Sequence, residues 1–247
     1  MDHRLRDILV IDIETATQQK NLKQLSPALQ DHWLHKSQFL RNEEELTPDE
    51  QFFQRGGIYA EFGKVIVISV GIFHVLENEE LALRVKSFYH HDEYELLKEF
   101  KAFLVEKFDP ETIRLCAHNG KEFDYPYLCR RMLVNDLAIP EVLNLTGRKP
   151  WEVQHVDTME LWKFGDRKNF TSLNLLTSLF GIPSSKSDID GSKVNTVYYS
   201  DEHGLERIAK YCAGDVVATA QLYLRLNNLP MIPESRITIV KTTNESK

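Results

Sequence analysis

Short apolar runs separated by long polar stretches define the pattern of this chain. Residues 5–12, Leu5 to Asp12, contain a brief, β-branched apolar run, which predicts a strand covered on both faces. From Ala16 to Gly57 the character turns polar and charged. Apolar residues there recur at helical spacing (Leu22, Leu25, Leu29, Trp33), and Thr47-Pro48-Asp49-Glu50 carries the chemistry of a helix start. This stretch predicts a helical insertion between two strands, with too little core to be a domain of its own. Its aromatics Trp33, Phe39, Phe52 and Phe53 can either pack it down or form a substrate rim. Residues 64–75 and 81–89 are β-rich, and Glu77-Asn78 between them suggests a hairpin.

A helix is predicted from about His91 to Phe108, with Leu96, Leu97, Phe100, Phe103 and Leu104 on one face and Pro110 beyond its end. A strand from Ile113 to Ala117 runs into the turn signal Asn119-Gly120, and a helix follows from about Tyr125 to Val134. Gln154 to Asp157 reads as one more short strand. Thr171 to Phe180 reads as a helix closed by Gly181 and Pro183, then a polar loop from Ser184 to Gly191. A long helix from about Glu202 to Leu226 precedes a tail over 228–247 with a mobile polar tip. Three strands that can pair antiparallel, then strands alternating with helices, predict an α/β fold. Its mixed sheet is flanked by helices, in a single domain over residues 1–247.

At 42% hydrophobic the 247 residues can bury a sizeable core, which excludes disorder as a description of the whole. No apolar run approaches the roughly 18 residues of a membrane helix, and Ile8 to Ile11 is too short for a signal-peptide core, so a cytoplasmic protein is expected. The three cysteines, Cys116, Cys129 and Cys212, form no C-x-x-C pair and read as thiols in a reducing compartment. The net charge of −7 argues against coating a duplex by bulk charge, but not against gripping one strand end locally.

Carboxylates stand at three places where apolar or turn residues are usual. Asp12 and Glu14 are two apart at the end of the first strand, so their side chains share a face. Like charges so placed are unfavourable unless a cation accompanies them. Asp124 stands at the start of a helix, in Asn119-Gly120-Lys121-Glu122-Phe123-Asp124, where a lone Asp is most simply a cap. Tyr211 and Asp215 are four apart in the last long helix and project together, beside the apolar stripe of Leu205, Ile208, Cys212, Val216, Ala220 and Tyr223. Singly, each has a structural explanation. Jointly, four carboxylates from a strand end, a helix start and a late helix fit a site for two hard cations, Mg²⁺ or Mn²⁺, of the kind that hydrolyses phosphodiesters.

With those residues in place the chain resembles the DEDDy 3′–5′ exonucleases of the ribonuclease H-like fold. HNGKEFDYPYL resembles the second exonuclease motif in proofreading domains of family B DNA polymerases. Most of the chain is similar to free-standing predicted exonucleases related to that domain; residues 16–57 match no motif. The resemblance implies that Asp12 and Asp215 bind one ion and that Glu14 and Asp124 complete the two-metal site. Tyr211 then holds the attacking water or the scissile phosphate through its hydroxyl. It also implies that Thr15 touches the 3′-terminal nucleotide and that Asn119 and Phe123 position the penultimate one, although Phe123 fits plain core equally well. Lys186 in the polar loop is either a phosphate contact or a solvated lysine, and Asp157 either supports the site or caps the next helix. The expected substrate is a single-stranded 3′ end, DNA favoured over RNA, with no membrane and with room for a replication or repair partner. The alternatives are an RNA-trimming enzyme of the same fold, or an inactive nucleic-acid binder. Retention of all four acids and the tyrosine speaks against the second.

Overall fold

The computed structural model describes residues 2–41, 44–166, 170–183 and 189–240. A six-stranded mixed sheet is its centre. Strands β1 (Ile8–Thr17), β2 (Gly63–Val75) and β3 (Leu81–Tyr89) pair antiparallel. β4 (Arg114–Ala117) lies parallel to β1 and β5 (Val156–Asp157) parallel to β4, giving the order β5-β4-β1-β2-β3-β6. The last of these, β6 (Ile237–Val240), adds parallel to β3 at the edge.

The helices cover both faces. On one, α3 (Glu93–Lys107) and α4 (Asp124–Val134) pack Leu96, Leu97, Phe100, Leu128 and Met132 against Leu9, Ile11 and Ile13 of β1. On the other, α8 (Gly204–Leu226) packs Ala213, Val216 and Ala220 against Ile8 and Val10. β1 is thus buried on both faces, as its near-continuous apolar run requires; each such fully buried side chain contributes roughly 1.5–3 kcal/mol. An ion pair ties the first layer to the sheet. Arg131 donates to Glu93 (2.6 Å) and to the Ala60 carbonyl (2.8 Å), and Glu93 also accepts from Val65 N (2.7 Å).

Several boundaries differ from expectation. β1 does not stop at Asp12 but runs to Thr17, so both acids sit inside the strand. The stripe from Leu22 to Trp33 is not one helix. A single 3₁₀ turn (Leu22–Gln24) precedes α1 (Pro27–Ser37), which Ser26 caps, with Pro27 in its first position. The start at Thr47 is observed: Thr47 and Glu50 form a capping box opening α2 (Pro48–Arg55). Trp33 and Phe52 are fully buried and meet edge to face at 5.4 Å, so they pack the insertion down, whereas Phe39 is exposed.

An unforeseen helix, α7 (Val194–Ser200), lies against the end of β1. Asn195 Oδ1 accepts from both Thr17 N (2.9 Å) and Thr17 Oγ1 (3.1 Å), and Tyr199 donates to the Thr17 carbonyl (2.7 Å). Within the tail, 237–240 form β6, which the sequence did not signal; the polar tip expected to be mobile lies outside the described residues. Two further short helices, α5 (Thr158–Lys163) and α6 (Leu173–Phe180), complete the fold, the latter closed by Gly181 at φ +63°. Among the described residues no helix is long and apolar enough to cross a membrane.

Candidate active site

β4 is short, and this opens the site. Its pairing with β1 ends at Val10 and Cys116, so beyond Val10 that side of β1 has no neighbouring strand. The crevice outside the carboxyl ends of two parallel strands is where α/β sheets bind ligands. The first residue of α4 fills the gap: Asp124 Oδ1 accepts from Ile13 N at 3.1 Å, a buried bond between residues 111 apart in sequence. Asp124 is therefore not a plain helix cap, and no side-chain cap bond is present at the start of α4. Its carboxylate is fixed to the peptide between Asp12 and Glu14.

α8 crosses the same face of β1 that carries Asp12 and Glu14. Tyr211 and Asp215, one turn apart, share a hydrogen bond, the phenol donating to the carboxylate. Cys212 belongs to the buried stripe, yet its Sγ lies 3.2 Å from Asp12 Oδ2 and 3.4 Å from the Asp12 carbonyl. Ligand atoms of Asp12, Glu14 and Cys212 all fall within 4.8 Å of one another. Pattern alone assigned Cys212 to the core, because nothing local reveals what a helix residue meets across 200 positions.

The turn after β4 is held by a single acid. Asp157 accepts from Asn119 N (2.9 Å) and Lys121 N (3.3 Å) through its two oxygens, and also caps α5 at Met159 N (3.0 Å). The two readings of Asp157 are thus both present. Asn119 adopts φ +67°, a conformation Asn tolerates better than most residues, and its buried Oδ1 has no partner. Gly120 is needed for space, since a Cβ there would lie 2.4 Å from that of Ala117. His118, unremarked in the sequence, engages Thr158 Oγ1 and the Thr171 carbonyl at 2.9 Å each, and burial holds its pKa below the usual value. This pins the segment bearing Phe170, which is 71% exposed, beside the turn.

Burial and mutual repulsion shape the electrostatics of the four acids. Burial and mutual repulsion raise Asp12 and Glu14 well above the ordinary carboxylate range. Burial lifts Asp124 to about 7, partly offset by its backbone hydrogen bonds, and Asp215 to about 6, against which the Tyr211 bond acts. The Tyr211 phenol is pushed far up by burial and then by Asp215 and Glu14. Cys212 is raised by burial and by Asp12, so its sulfur stays protonated. Among the described residues no lysine or arginine forms an ion pair with any of the four acids. Hard oxygen donors, mutual repulsion and no protein cation fit divalent metal.

The remaining sequence candidates are placed differently. Thr15 lies past a register shift between β1 and β2, with its side chain near Tyr127 of α4. Phe123 is partly buried and stacks obliquely on Tyr127 at 5.4 Å, which leaves some of the ring accessible. Lys186 lies outside the described residues.

With this geometry in view, the similarities to other proteins gain meaning. Residues 58–235 match a family described as predicted 3′-5′ exonuclease related to the exonuclease domain of PolB. The match contains Asp124, Tyr211 and Asp215 but begins after β1. A DNA polymerase from Pyrococcus glycovorans is 29% identical over 142 residues, covering 53% of this chain and 18% of that protein. One from Thermococcus sp. (strain GE8) is also 29% identical over 142 residues, covering 8% of its length. The chain therefore spans less than a fifth of these relatives. The family B DNA polymerase from Pyrobaculum calidifontis shares the fold, with a TM-score of 0.55 over 89% of this chain and 24% of that one, at 17% identity. Since the family match covers well over half of the 247 residues, this chain belongs to the predicted 3′-5′ exonucleases related to the exonuclease domain of PolB.

Proposed function

We propose that the protein is a metal-dependent 3′→5′ exonuclease that hydrolyses phosphodiester bonds at single-stranded ends, DNA in preference to RNA. The observation that carries this reading is the convergence of four carboxylates from β1, α4 and α8, with raised proton affinities and, among the described residues, no cationic side chain paired with them. Asp12, Glu14, Asp124 and Asp215 would hold two divalent ions, Mg²⁺ or Mn²⁺. Bound there, such ions supply a hydroxide at neutral pH and offset charge on the phosphate. Tyr211 keeps its proton, so it acts as a donor that orients Asp215 and a water or phosphate oxygen, and does not act as a base.

Asn119, whose buried oxygen has no partner, and the accessible part of Phe123 would position the penultimate nucleotide of the strand end. Stacking of unpaired bases on such rings favours single strands. Thr15 would contribute through its backbone or hydroxyl. The preference for DNA rests on the DNA polymerases among the relatives, and a replication or repair protein is the natural partner class.

The test is a gel assay on 5′-labelled single-stranded DNA and RNA with Mg²⁺, Mn²⁺ or EDTA, with Asp12→Ala alongside. A metal-dependent ladder shortening from the 3′ end, absent in the variant, is expected, with DNA degraded faster. Faster RNA trimming would reverse the sugar preference. Absence of cleavage with metal bound would replace the enzyme by a binding protein.

A further inference from the structure

A buried polar chain runs beneath the carboxylates. Ser69 of β2 is directly opposite Asp12 of β1, and Ser87 of β3 is directly opposite Ser69. The row is polar across three strands on the face that α8 covers. The row two residues toward the start of β1 is Val10, Gly71 and Val85. Ser69 and Cys212 are fully buried and Ser87 nearly so. The two serine hydroxyls are 2.8 Å apart, and Ser87 Oγ donates to the Ala209 carbonyl of α8 at 3.4 Å. Cys212 in turn reaches Asp12 Oδ2 at 3.2 Å.

Each group has one proton to give: Ser87 donates to the Ala209 carbonyl, so Ser69 donates to Ser87, and the Cys212 S–H is directed at Asp12. Linked hydrogen bonds in a low-dielectric interior polarise one another. Small apolar residues would fill the same row without the cost of burying hydroxyls, so the polar row calls for a purpose, and its end point is a carboxylate of the site.

We propose that Cys212 is a positioning residue for Asp12, its S–H fixing the rotation of that carboxylate before a divalent cation arrives. This rests on the metal-site reading above. Partners that orient metal ligands typically change metal affinity by 10–100-fold when removed.

The experiment is calorimetric titration of Mn²⁺ into the full chain and four variants. Cys212→Val keeps volume and loses the donor; Cys212→Ser keeps a donor; Ser69→Ala removes the hydroxyl across the strand from Asp12 but leaves the Cys212 donor in place; Asp12→Ala is the reference for loss of the site. Cys212→Val is expected to bind Mn²⁺ about 10-fold more weakly. Ser69→Ala and Cys212→Ser, which both keep a donor on Asp12, should stay within about threefold of wild type. Unchanged affinity in Cys212→Val, or equal losses in Cys212→Val and Cys212→Ser, overturns the positioning role if Asp12→Ala has lost binding. Unchanged binding in Asp12→Ala overturns the metal site itself, and the positioning role with it.

Discussion

Removing metal and varying pH tests the electrostatics of the site most directly. Asp124 is held at about 7 and Asp215 at about 6, against an ordinary aspartate near 4. The folded protein therefore holds these protons more tightly than the unfolded chain does. The resulting stability is complete below the ordinary value and is lost as pH rises through 6 and 7. Between pH 5 and 8 Asp124 accounts for about 3 kcal/mol and Asp215 for about 1 kcal/mol. For a chain of this length that is on the order of 10 °C in Tm. His118 and His155, held neutral by burial, act in the opposite sense and lose their contribution as pH falls. Comparing melts in EDTA and in Mg²⁺ at each pH isolates the acids, because the cation replaces their protons. The Mg²⁺-induced rise in Tm should be several degrees at pH 8 and close to zero at pH 5. An equal rise at both pH values, or none at pH 8, would refute the assignment of these acids to a cation site.

Other substitutions separate chemistry from scaffold. Tyr211→Phe removes one hydroxyl and should cut the exonuclease rate at least 100-fold, roughly the worth of a positioned donor, while thermal melting barely moves; a wild-type rate would make Tyr211 structural. Asp157→Ala strips the acceptor from Asn119, Lys121 and Met159 and should cost about 2–4 kcal/mol in urea unfolding, with activity falling as the turn loosens. Arg131→Met strands Glu93 in the core and should cost about 3–5 kcal/mol; a loss under 1 kcal/mol would mean Glu93 escapes to solvent or takes a proton.

The periodicity of the sequence located most elements because packing rewards that same periodicity, as at β2 and β3. It failed where one residue outweighs a pattern. The apolar run of β1 ends at Asp12 in sequence, but the strand continues because Glu14 and Thr17 are accommodated by α8 and α7. The β-branched and aromatic residues of α7 favour a strand, yet Asn195 fastens them to Thr17 as a helix. β6 is four residues after two prolines, too short to signal itself without the exposed edge of β3 that it covers. In the site the acids were legible as residue types at telling positions. The roles of Cys212, Ser69 and His118 were not, because each depends on a contact between elements distant in sequence.

The bond between Cys212 and Asp12 joins residues 200 positions apart. Closing so long a loop precedes any return from the contacts it brings, and α8 must settle on the sheet before the first acids have their partners. Until then the chain carries the acids of β1 without the arrangement that brings them to Asp215, so the grouping of these carboxylates is a property of the finished fold.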